Sequence, residues 1–119
     1  MTFIEEHDAH VTIAKIGGQV DSVVAMELEN RVTSLLNRGV NSLLLDCSAL
    51  SYINSAGLRV FLLAAKQLSH TKGQLAFCSL VPNVRLVFET IGFDRILTLY
   101  PDRETALREM GAPLSSAAA

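Results

Sequence analysis

The sequence has no tryptophan, only three prolines and two cysteines among its 119 residues, and no excess of charge of either sign, since ten Lys and Arg face twelve Asp and Glu. Each shortage excludes something. Cys47 and Cys78, each near the end of an apolar run, are too few for a disulfide-stapled scaffold and read as buried free thiols of a chain kept in a reducing cytoplasm. Three histidines scattered at 7, 10 and 70 complete no ligand set at metal spacing, so no metal is expected. A formal net charge of −2 is too balanced for binding to a phosphate backbone or an anionic lipid surface, which argues against direct contact with nucleic acid. No apolar run approaches the roughly 18 residues of a membrane span, and the stretch MTFIEEHDAH has no basic region followed by an apolar one. Neither membrane insertion nor export is expected.

What is present is a chain that is 50% hydrophobic and 18% charged, enough apolar material for one self-sufficient core and too little length for two domains. Residues 2–7 and 10–16, rich in Phe, Ile, Val and Thr, read as a strand pair. Gly17-Gly18 is expected to break the second strand, after which Asp21 or Ser22 caps a helix carrying Ala25, Leu28, Val32, Leu35 and Leu36, stopped by Gly39. Leu43-Leu44-Leu45, inside an apolar run from Val40 to Cys47, predicts a central strand covered on both faces. A loop over 49–54 leads into a helix from about Ser55 to His70, with Leu58, Phe61, Leu62, Ala65 and Leu68 on one face. Leu75 to Cys78 is a further strand, Pro82 opens a helix with Val84, Val87, Phe88 and Ile91, residues 96–99 form a short strand, and Asp102 caps a last helix with Ala106, Leu107 and Met110. The order predicts an α/β domain over residues 1–111 with a largely parallel, mixed sheet, followed by a flexible tail over 112–119.

Most chemical motifs dissolve on inspection. Gly17-Gly18 lacks the spacing of a phosphate-binding loop and reads as turn chemistry. Ser55 followed by Gly57 lacks the G-x-S-x-G context of a nucleophile, and no base can be named for it, so the chain is not expected to be an enzyme. Glu5-Glu6, Glu27 and Glu29 look like solvated positions, and the three histidines like surface residues. The two cysteines both end strands, which leaves a redox pairing as a remote option.

The segment YINSAGLRVFLLAAK, residues 52–66, carries more. Ser55 stands where a loop becomes a helix, so its hydroxyl either caps the orphan amides of the first turn or is free to carry a phosphate at a helix N-terminus. Helical spacing places Arg59, Leu63, Lys66 and His70 opposite the buried face, with Val60 beside them. An apolar spot among cations is the composition of a partner-docking surface, and a phosphate on Ser55 would sit one turn from Arg59.

These residues resemble a known family, the STAS domain, and within it the bacterial anti-sigma factor antagonists. The resemblance spans most of the chain. Gly18-Gln19-Val20-Asp21 is similar to the family's G-x-[LV]-D turn. The run LLLDCSALSYINSAGLRVFL, residues 43–62, is similar to its D-x-S…[IM]-[DN]-S-[STA]-G-L pattern, and Pro82 through Gly92-Phe93 to its following helix and turn. The resemblance implies a four- or five-stranded mixed sheet with about four helices packed mainly on one side. It implies a cytoplasmic partner switch without a cofactor: the unphosphorylated chain binds an anti-sigma factor with serine kinase activity, phosphorylation of Ser55 ends the complex, and a serine phosphatase restores it. Asp21, Asn54, Ser55, Ala56, Gly57, Arg59, Val60, Leu63 and Lys66 are the expected partner-binding residues. Asn54 stands where many antagonists have Asp, and Ala56 leaves Ser55 the only hydroxyl in its motif. The alternative is a constitutive STAS scaffold, or an accessory subunit of a transporter or signalling complex, that works without phosphorylation.

Overall fold

Leu43, Leu44 and Leu45 are all fully buried because their strand lies in the middle of a sheet covered on both faces. The computed structural model describes residues 1–118, with side chains through Gly111; the tail expected over 112–119 lies outside the fully described residues. The chain runs through β1 (Thr2–Asp8), β2 (Val11–Val20), α1 (Ser22–Asn37), β3 (Ser42–Ile53), α2 (Ser55–His70), β4 (Gln74–Cys78), α3 (Pro82–Thr90), a 3-10 turn (Phe93–Arg95), β5 (Thr98–Tyr100) and α4 (Arg103–Ala118). The five strands lie side by side in chain order. β1 pairs antiparallel with β2, and every later pairing is parallel.

Parallel strands added in one direction by crossovers of one hand leave their connecting helices on one face. Alternation along the strands shows both faces. Ala14, Ile16, Leu43, Leu45, Cys47 and Phe77 point into the larger core with α1, α2 and α3. Val11, Ile13, Leu44, Ala76 and Cys78 point the other way, against Ala106 and Met110 of α4. The larger core is tied by aromatic edges: Phe77 meets Phe61 at 4.9 Å and Phe88 at 5.6 Å, and Phe88 meets Phe93 at 5.9 Å between ring centres.

Two expectations change. Gly17-Gly18 does not end β2. The strand continues to Val20 through shifts of register on either side of the glycines, made possible by a positive φ of 92° at Gly18. For the same reason the stretch expected as a loop over 49–54 is strand as far as Ile53, since the extension of β2 gives it a partner: Gly17 pairs with Ala49 and Val20 with Ile53. Glu5 and Glu6, expected to be merely solvated, hold arginines at 2.7 Å (Arg38) and 3.0 Å (Arg103).

The Arg103 contact is part of a larger clamp. Its Nε donates to Asp46 Oδ2 at 3.0 Å, and its two terminal nitrogens donate to the two oxygens of Glu6 at 3.1 and 3.0 Å. Asp46, only 5% exposed, also accepts from the Ser48 amide at 3.0 Å. Burial pushes the Asp46 carboxyl up, but the Ser48 amide and hydroxyl together with the Arg103 guanidinium outweigh it and hold the group below its ordinary range. A carboxylate depressed in the folded chain contributes stability that is complete above its unfolded value, about 3.9, and is lost as pH falls through the folded one. Urea unfolding of the wild type should therefore weaken steeply below about pH 4, and Asp46→Asn should lower stability at neutral pH while flattening that acid limb. An unchanged acid limb in the variant would show that Asp46 is not the group responsible.

Candidate functional site

β2 and β3 end side by side, Val20 opposite Ile53, and the chain turns directly from each into a helix. The Asn54 amide donates to the Val20 carbonyl at 3.1 Å, which holds the starts of α1 and α2 together. Asp21 caps α1, its Oδ1 accepting from the amides of Val23 at 3.1 Å and Val24 at 2.9 Å. Asn54 caps α2 in the same way, its Oδ1 accepting from Ala56 at 3.1 Å and Gly57 at 3.2 Å. The remaining amide group of Asn54 donates to the Ser22 hydroxyl at 3.1 Å. The first turn of α3 joins this edge through Asn83, whose Nδ2 donates to the Ser51 carbonyl at 2.8 Å.

This geometry shows which residue caps α2. Asn54, not Ser55, closes the first turn, and Ser55 is the first helical residue, exposed, with its hydroxyl outside the cap. Three helix N-termini, each the positive end of its dipole, gather at this edge, with Asp21 supplying a carboxylate at one of them. A negative group on Ser55 would meet a favourable dipole from α2 and Arg59 one turn further on.

The expected partner-binding residues separate into two sets. Asp21, Ser55, Arg59, Lys66 and Leu63, the last 39% exposed, face outward, and Asn54 and Ala56 are half-buried. Gly57 and Val60 are buried. Val60, expected beside the exposed face, is 5% exposed; together with Ala64 it gives α2 a second apolar stripe, because the helix packs on α1 as well as on the sheet. Gly57 lets the helix seat on the strand ends, where a Cβ would come within 2.6 Å of Ile53 and 2.8 Å of Val20 side-chain carbons. The site also contains residues that the sequence reading missed. Val23 and Met26 on the first turns of α1 are 77% and 69% exposed, and Tyr52 is exposed at the end of β3. Val23 and Met26 fall outside the buried stripe of α1, the signal that marks them.

Other candidates disperse. Cys47 and Cys78 are free and buried on opposite faces of the sheet, so they form no redox pair; burial pushes both thiols up, Cys78 to about 11. His7, His10 and His70 are exposed. Among the described residues no group of three or more His, Cys, Asp or Glu is placed to hold a metal, and no helix is long and apolar enough to cross a membrane.

Residues 3–106 match the family described as the STAS domain. A Bordetella bronchiseptica protein, BtrV, which carries the name of an anti-sigma factor antagonist, is 45% identical over 94 residues, covering 79% of this chain and 81% of that protein. A crystal structure from Thermotoga maritima, also described as an anti-sigma factor antagonist, superposes with a TM-score of 0.87 at 26% identity, over 91% of this chain and 93% of that one. The structure of the Bacillus cell fate determinant SpoIIAA in its phosphorylated form shares the fold, with a TM-score of 0.70 at 18% identity over 90% of this chain and 98% of that one.

The cap assignment has a direct test. Asn54→Ala should destabilise the chain by about 1 kcal/mol, whereas Ser55→Ala should stay within about 0.5 kcal/mol of the wild type. Equilibrium urea unfolding of the two variants separates them, and a larger loss for Ser55→Ala would return the capping role to the serine.

Proposed function

Because the chain belongs to the STAS domain family, we propose that it is an anti-sigma factor antagonist working as a partner switch, with Ser55 as the residue that is phosphorylated. The observation that carries this reading is the division of labour at the start of α2: Asn54 accepts from the Ala56 and Gly57 amides, and Ser55 presents an exposed hydroxyl that takes no part in the cap. The unmodified chain binds an anti-sigma factor with serine kinase activity through the outward residues around Ser55, namely Asp21, Arg59, Leu63 and Lys66, to which the exposed Val23 and Met26 add apolar area. Phosphorylation places close to two negative charges at the edge of that surface, and repulsion together with desolvation cost ends the complex. A serine phosphatase restores the binding form. ATP and any metal belong to those partners, and the chain itself acts in the cytoplasm as a binding protein.

Intact-mass measurement and peptide mapping of the chain recovered from its own cells test this, with the Ser55→Ala variant alongside and a phosphatase-treated sample of each. The expected result is one phosphoryl group, mapped to Ser55, absent from the variant and removed by the phosphatase. Ser55→Asp should lose at least tenfold in affinity for the anti-sigma factor captured by the unmodified chain, the consequence of roughly 1.4 kcal/mol or more of repulsion. Absence of the modification under every growth condition, with full binding by Ser55→Asp, would favour a constitutive scaffold or accessory subunit instead.

A further inference from the structure

Away from the Ser55 edge, the described part of α4 covers the second face of the sheet by thin means. Among the described residues its buried apolar side chains are Ala106 and Met110, with Leu107 partly buried beside them, over Val11, Ile13, Leu44, Ala76 and Cys78. The opposite face, by contrast, carries three helices and the interlocked rings of Phe61, Phe77, Phe88 and Phe93. Among the described residues, the polar contacts that hold α4 sit at two points. At its first turn Arg103 bonds both Asp46 and Glu6. Further along, Gln74 Nε2 donates to the Met110 carbonyl at 3.2 Å. Pro101, between β5 and α4, lies in a bend outside any helix or strand, and Asp102, whose carboxylate accepts from the Thr105 amide, belongs with α4, so a rotation of the backbone at Pro101 would disturb no ladder.

We propose that α4 is a hinged strap that lifts from the sheet as a unit while the α1–α3 face stays folded, and that Arg103 is its latch. Segments with little buried apolar area open at lower free energy than the whole domain, and here one guanidinium joins the strap to two strands. Lifting uncovers a strip of apolar side chains across β2, β3 and β4, a face separate from that of Ser55. The inference does not depend on whether Ser55 is phosphorylated.

The two cysteines report on the two faces. Cys78 lies beneath α4 and Cys47 within the larger core. The native chain is exposed to an aromatic disulfide reagent at fixed pH and without denaturant, and the labelled cysteine is identified by peptide mass at successive times. In the wild type Cys78 should be labelled well before Cys47. Removing a charge-assisted contact in Arg103→Met should speed Cys78 labelling by about tenfold to a hundredfold; Cys47, reached only through global unfolding in which the same contact is lost, should rise by no more than that factor and stay well behind Cys78. Met110→Ala, which keeps the latch and trims the apolar contact, should likewise speed Cys78 with Cys47 remaining well behind it, and serves where Arg103→Met does not fold. Labelling of both cysteines at one rate in the wild type and in both variants, or a Cys78 rate unchanged in Arg103→Met, would overturn the proposal, because α4 would then leave the sheet only when the whole domain unfolds or would not be held by Arg103.

Discussion

Val20 and Ile53 finish their strands side by side in a parallel ladder that runs from Thr12 with Leu43 to the end of both strands, and the arrangement of the candidate site follows from that register. With the two strand ends level, the residues that follow, Asp21 and Asn54, each become the cap of a helix, and the Asn54 amide closes onto Val20. A slip of one residue in the ladder would turn every side chain of β3 to the wrong face and separate the two caps. The absence of a side chain at Gly57 has the same origin: two strand ends so close leave no room for a Cβ under the first turn of α2. The strand extension through Gly18 is therefore what brings α1 and α2 to a common starting edge.

At that edge an asparagine does something an aspartate cannot. Asn54 accepts two amide hydrogens through one atom and donates to Ser22 through another, so a single neutral side chain both caps α2 and pins it to α1. An aspartate would keep the cap and could accept from the Ser22 hydroxyl, but it would put a second carboxylate beside that of Asp21. With asparagine, the carboxylate of the paired caps belongs to α1, and the N-terminus of α2 keeps its full positive character.

Much of this was legible in the sequence, and the failures share a cause. The span of α2, the Pro82 start of α3 and the Asp102 cap of α4, where Thr105 donates to the carboxylate at 2.7 Å, follow from local chemistry that a short window contains. The triplet of leucines announced a strand covered on both faces. Strand status for 49–53, the burial of Val60 and the pairing of Glu6 with Arg103 depend instead on a neighbour far along the chain. Nothing local says that Gly17 lies opposite Ala49, or that α2 has α1 on one flank as well as the sheet beneath it. The Ser55 question is intermediate. Asn54 and Ser55 are both good capping residues, and only the position of the first helical residue shows which of them is used.

That position bears on how a switch of the proposed kind can work without disturbing its own scaffold. Were Ser55 the cap, a phosphate would replace the hydroxyl that satisfies the helix amides, and each modification would alter the stability of α2. With the cap one residue earlier, the phosphate is attached to a side chain that makes no capping bond, at a helix end whose dipole favours negative charge. Asp21 opposes it from the neighbouring helix, and Arg59 offers compensation one turn away. The chain thus keeps its capping bonds, while a partner seated over the edge would meet a new, compact charge that it must desolvate. In the proposed switch, modification at the first helical residue rather than at the cap would spare the bonds that satisfy the α2 amides, so the change in free energy would fall on the complex.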